Sequence, residues 1–307
     1  MKKNITLKNN VSEKINDSIF ITGSARSGTT IMGKLIHSMK YVEYTFEPPT
    51  VLTLLSVIEE FRNNSNLWKI IFETYLYEDF FVNSIAGRNL NFKTNEDSFI
   101  YLVKNRNQIE ERLNNNSRKH LLNLDKYKIA FKIPDIAPYL KNFKNIYPNV
   151  WVIFMVRNAS DTINSLLRKG WFNSESLKNN NRIWPLIKFN GSYIPHWVSN
   201  DMREEWCKMN EVDRCAYYYI QNQTIIEESK IIYINYDFFV DNTSTCMHEI
   251  INYLKIDFGS KTKKIIDKVS KRETKRDQEI LKKIRPTLRK KIKYIESNMP
   301  TDIFINE

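Results

Sequence analysis

The chain has 307 residues, 42% hydrophobic and 13% aromatic, enough for the core of one generous α/β domain. Lys and Arg total 47 against 35 Asp and Glu, and the net charge of +12 favours acidic partners without choosing among nucleotide, sulfated or uronic glycan, nucleic acid and anionic lipid. Cys207, Cys215 and Cys246 lack CxxC spacing, which argues against a disulfide framework or a structural zinc site and for reduced thiols. The polar start, MKKNITLKNNVSEKIND, has no apolar signal core, and no run of about 18 apolar residues occurs. The expectation is therefore a cytoplasmic protein without an integral membrane segment. Peripheral membrane contact stays open, and the oligomeric state is not written in the sequence.

In chain order, SIFITG (18–23) reads as a short buried strand that runs into Ser24-Ala-Arg26-Ser27-Gly28-Thr29-Thr30. The apolar residues at 31, 32, 35, 36 and 39 follow with helical spacing. YVEYTF (41–46) is a second strand, closed by Glu47-Pro48-Pro49. Residues 50–113 read as mostly helical, broken by Asn-rich turns at 63–66 and 88–96. KIAFKIP (128–134) is a strand ended by Pro134, and a helical segment at 135–146 leads into VWVIFMV (150–156). That run is apolar on both faces, the mark of a central parallel strand. A helix over 159–169 follows Arg157.

Residues 170–202 carry Trp171, Trp184, Trp197 and Ile194-Pro195-His196, resist regular assignment, and suit a lid or an acceptor-site insert. Residues 203–229 read as one long helix, IIYINY (231–236) as the last strand, and about 243–297 as helical to the C-terminus. Alternating strands and helices predict a doubly wound parallel α/β sheet flanked by helices, with ligands at the carboxyl ends of the strands. Without a Pro/Gly/Ser linker or a repeat, a single domain over 1–307 is the simpler organisation.

Two places carry chemistry. A strand, a glycine loop and a helix in succession make an anion site from backbone N–H groups and the helix dipole. Gly23 and Gly28 fit the first and sixth positions of a P-loop and Thr30 the eighth, but Thr29 stands where Lys is usual, and the positive charge comes from Arg26. The second place is VWVIFMVRNASDTINS (150–165), where a buried strand delivers Arg157 at its carboxyl edge and Ser165 sits about two helical turns on. Arg offers a fixed cationic fork for a phosphate and Ser a hydroxyl. The four histidines, 37, 120, 196 and 248, show no ligand spacing, so no metal is expected.

Together, GSARSGTT and RNASDTINS resemble the paired 5′-phosphosulfate and 3′-phosphate motifs of sulfotransferases that use 3′-phosphoadenosine 5′-phosphosulfate. The resemblance implies a P-loop-like fold and a donor site of Arg26, Ser27, Gly28, Thr29 and Thr30, with Arg157 and Ser165 at the 3′-phosphate. It also implies Lys132 of FKIP at the transferring sulfuryl group and IIYINYD (231–237) as the late strand. The second motif carries Ala159 where the family usually has Pro. The small-molecule branch has a His two residues after the equivalent of Lys132 and a Trp after the Thr pair; this chain has Pro134 and Ile31. The glycan-modifying and bacterial branches use an acidic residue after the second strand, and Glu47 fits that place.

The resemblance thus implies a hydroxyl acceptor, a glycan or other carbohydrate-containing metabolite, no nucleic acid, and adenosine 3′,5′-bisphosphate as product. Glu47, Arg26 and Lys132 are the expected catalytic residues, with His196 the rival base. The basic stretch 261–293 reads mainly as a solvated helical face, and the resemblance implies that a late basic residue, Lys271 or Arg272, reaches the nucleotide. Two other readings compete. A P-loop kinase would use IIYINYD as a Walker B-like strand, but it lacks the loop Lys and leaves Arg157 and Ser165 unexplained. A basic nucleic-acid-binding protein would need a groove-reading signature, and none is found.

Overall fold

A computed structural model of the chain describes residues 5–96, 98–114, 121–179, 185–269 and 279–307. Its centre is a six-stranded sheet in the order β2-β3-β1-β4-β7-β8. The strands are β1 (Ile19–Gly23), β2 (Val42–Phe46), β3 (Lys128–Lys132), β4 (Trp151–Val156), β7 (Ile231–Asn235) and β8 (Ile303–Asn306). The first five are mutually parallel, and β8 closes the far edge antiparallel to β7. A separate hairpin pairs β5 (Leu186–Phe189) with β6 (Ser192–Pro195).

Apolar residues on both faces of the inner strands bury the sheet on either side. On β4, Val152, Phe154 and Val156 enter one core and Ile153 and Met155 the other. The first core is closed by the helices Pro49–Ser56, Ser65–Glu73 and Leu140–Ile146, and Phe20, Phe72, Phe131 and Phe143 pack edge-on or stacked within it. The second is closed by Thr29–Ser38 and Thr243–Leu254. A third cluster, away from the sheet, joins the helices Ala159–Leu167, Glu211–Asn222 and Pro286–Asn298 to the rings of Phe172, Trp197 and Trp206.

Among the described residues the predicted strands occur at their places, including the central parallel β4, as do the mostly helical stretch after β2, which contains a π-helix over Thr74–Val82, and the late helices Thr243–Leu254 and Pro286–Asn298; residues 270–278 of the expected C-terminal helical region lie outside the described residues. Two expectations are corrected. Residues 203–229 are not one helix: Arg203–Lys208 ends before Met209, Glu211–Asn222 begins anew, and coil follows. Asn210 caps the second helix through Asp213 N, 2.9 Å away, and Arg214 donates to the carbonyls of Trp206 and Cys207 at the end of the first. The second correction is that β7 is not the last strand, because β8 follows and makes the sheet mixed. Lys271, Arg272 and Trp184 lie outside the described residues.

Candidate active site

The loop between β1 and the Thr29–Ser38 helix is the floor of the site. Gly23 has φ +128 and Gly28 φ +92, and a Cβ at either would strike the Met155 carbonyl oxygen or the Tyr236 ring, so glycine is required at both. Arg26 also takes a left-handed backbone, φ +75. Ser27 Oγ donates back to Ser24 O at 2.6 Å, and Gln223 Nε2 donates to Ser24 Oγ at 2.6 Å. The first-turn N–H groups of Thr29–Ser38 have no intrahelical acceptor and open toward the loop.

The fold brings the two sequence motifs together. Arg26 Nε donates to Ser165 Oγ at 2.9 Å, and Arg157 Nη1 donates to the Arg26 carbonyl at 3.0 Å. Arg157 also reaches Asp161 at 3.3 Å, and its guanidinium lies over the Tyr236 ring, 4.6 Å from the centroid. Its Nε is buried and has no hydrogen-bond partner among the described residues. Asn158 caps the Ala159–Leu167 helix through Asp161 N, which fixes the position of Ser165 two turns on.

Lys132 and Glu47 form the third wall. β2 and β3 are paired in register, with Phe46 opposite Lys132, so the ends of the two strands sit side by side. Lys132 Nζ lies 2.5 Å from Glu47 Oε1 and 3.1 Å from Thr30 Oγ1, and 4.1 Å above the Phe46 ring. Lys132 is 1% exposed while Glu47 is 42% exposed, so the ammonium is inside and the carboxylate faces solvent. Glu47 has φ +45, and its N–H bonds the Lys132 carbonyl at 3.0 Å.

His196, the rival base, is buried. Its Nδ1 is 3.1 Å from the Tyr139 hydroxyl, the ring stacks on Tyr139, and burial pushes its pKa down to about 3. Three residues that sequence reasoning missed shape the loop: Asp135, Tyr218 and Gln223. Only the Asp directly after FKIP stood near a motif; Tyr218 and Gln223 lie on or just beyond a helix distant in sequence and carry no local signal.

Residues 18–260 match a sequence model described as the sulfotransferase family, and the chain belongs to that family. It is a sulfotransferase-family enzyme, which sets aside the kinase and nucleic-acid-binding readings. No curated protein matches the chain. Among solved structures it is similar to the sulfotransferase domain of the Synechococcus PCC 7002 olefin synthase, at 11% identity and TM-score 0.42 over 98% of this chain and 99% of that one. A sulfotransferase domain from the curacin biosynthetic pathway shows 13% identity and TM-score 0.47, over 92% and 98% of the two chains. A sulfotransferase from Alicyclobacillus acidocaldarius shows 10% identity and TM-score 0.40, over 91% and 94%.

Proposed function

We propose that the chain moves a sulfuryl group from 3′-phosphoadenosine 5′-phosphosulfate to a hydroxyl of a glycan or another carbohydrate-containing metabolite, with Glu47 as general base. The contact of Arg26 with Ser165, with Arg157 on the Arg26 carbonyl, carries this reading. A nucleotide bearing anions on both the 5′ and 3′ oxygens needs two adjoining anion sites. A triphosphate chain needs one, and would leave Arg157 and Ser165 idle. The unpartnered Arg157 Nε and the orphan N–H groups of the Thr29–Ser38 helix are donors suited to those two ends.

In the transfer, the acceptor oxygen bonds to sulfur as the bond from sulfur to the 5′-phosphate oxygen breaks, and the electron pair leaves with that oxygen. The acceptor proton passes to Glu47. Arg26, Lys132 and the loop N–H groups offset the charge that grows on the leaving oxygen. Lys132 holds Glu47 at 2.5 Å, so a donor that draws the ammonium to its sulfuryl oxygens also frees the carboxylate to take the proton. A cavity of about 330 Å³ runs along the free edge of β2 beside Phe46. Phe46 and Phe80 line it beside the polar Asn89, Asn91, Glu96 and Ser98, a mixed lining suited to a sugar.

The test is calorimetric affinity for adenosine 3′,5′-bisphosphate and for adenosine 5′-monophosphate, in the wild type and in Arg157→Ala. The wild type should prefer the bisphosphate strongly, and the variant should lose about 1.5–3 kcal/mol of bisphosphate binding while holding the monophosphate as before. Equal wild-type affinity for both nucleotides refutes the reading. Transfer of labelled sulfate to simple methyl glycosides, and not to a simple phenol, checks the acceptor class.

A further inference from the structure

One buried carboxyl beside the site is not used by the transfer. Asp135 is 3% exposed, stands at φ +68, and lies just past the Lys132 strand. Its N–H donates to the Gly23 carbonyl at 3.3 Å. Its Oδ1 accepts from Ala25 N at 3.2 Å and from the Tyr218 hydroxyl in a short contact. The same Ala25 N–H is shared with the Tyr218 oxygen, 2.5 Å away. The rings of Phe172 and Trp197 pack on Tyr218 with centroids at 5.0 and 5.1 Å and hold it in place. Asp135 therefore grips the loop on both sides of Ser24, by backbone at Gly23 and by side chain at Ala25.

We infer that Asp135, together with Tyr218, is the positioning residue that sets the phosphate loop for the donor nucleotide; the inference rests on the proposed function. Sequence distance hides the device, since Tyr218 comes from the Glu211–Asn222 helix and Asp135 from the end of β3. The charged groups that face the carboxyl are Glu47, beyond β2, and Lys132, on β3. Burial raises Asp135 to about 7 against the bonds from Tyr218 and Ala25, so it titrates near neutrality. A polyanion beside it favours the neutral acid, and by reciprocity ionised Asp135 weakens binding of that polyanion.

The experiment measures adenosine 3′,5′-bisphosphate binding from pH 5.5 to 8.5 in the wild type, Asp135→Asn, Asp135→Ala and Tyr218→Phe, together with amide exchange across residues 23–28. Asn keeps an acceptor oxygen and tolerates a left-handed backbone, so Asp135→Asn should bind within about threefold of wild type at low pH. Compared with this variant, the wild type should lose affinity as pH rises through 7. Asp135→Ala should bind about tenfold more weakly or worse at every pH and exchange its loop amides faster; Tyr218→Phe should lose several-fold. Where Asp135→Ala does not fold, the other two variants decide. Asp135→Ala binding and exchanging like the wild type, or Asp135→Asn with the wild-type pH profile, overturns the inference. A wild type that does not bind the nucleotide overturns the proposed function instead, and the loop exchange then judges Asp135 alone.

Discussion

At the residue scale, Glu47 and Lys132 form an ion pair that the proposed transfer would use twice. The ammonium is buried and held by Glu47 and Thr30, while the carboxylate it neutralises stands at the mouth of the site. If Glu47 is the base, Glu47→Gln keeps the shape and the Lys132 contact but cannot accept a proton. Transfer should then fall about 100-fold or more while nucleotide affinity stays near wild type. Turnover assays beside calorimetry separate the two effects, and a variant that keeps full turnover shows that the base is another group. His196→Ala is the natural comparison, because that ring is enclosed against Tyr139 and should affect stability more than transfer.

At the element scale, the C-terminal strand does more than finish the chain. β8 covers the edge of β7, pairing Ile303 with Ile234 and Ile305 with Ile232. Just before it, the carbonyls of Asp302 and Pro300 accept from the backbone and side chain of Asn235. Asn235 in turn caps the helix Tyr236–Asp241, whose first ring lies under Arg157. Removing residues 301–307 should uncover a parallel-sheet edge, lower the melting temperature by several degrees and promote association. Nucleotide affinity should fall too, by less than in Arg157→Ala, because the arginine stays and only its support loosens. An unchanged melting curve would show that β8 is dispensable.

At the scale of the whole molecule, buried titratable groups set how stability responds to pH. Burial holds His37 and His196 at about 3, so between roughly pH 6.5 and 3 the unfolded chain binds protons that the folded chain refuses. Stability is therefore lost as pH falls through that window, by at most about 1.4 kcal/mol per pH unit for each ring. Glu43 is desolvated, but Arg112 and Lys104 still carry it down to about 2, which adds a loss below roughly pH 4.5. Asp135 works in the opposite sense: its folded value of about 7 favours the folded state at low pH, and that advantage is lost as pH rises from roughly 4 to 7. His37→Phe keeps a ring against Tyr44 and removes one titration, so melting temperature should fall less steeply between pH 6.5 and 4 than in the wild type. Parallel melting curves across that range would rule out His37 as a source.

What the sequence determined by itself is local: the succession of strands and helices, the glycine loop, and the residue types in each motif. Gly23, Gly28, Arg157 and Ser165 were legible because turn geometry and helical spacing act over a few residues. The break at Met209 and Asn210 was not, because Arg214 reaches back to the carbonyls of the preceding helix, and periodicity on both sides reads as continuous. Nor was β8, whose four residues become a strand only by pairing with β7. The tertiary structure alone decided that Lys132 meets Glu47, that Arg26 meets Ser165, and that Asp135 and Tyr218 meet the loop at Ala25. Those contacts join segments far apart in sequence. Their geometry follows from strand order and sheet register, which no short window of residues contains.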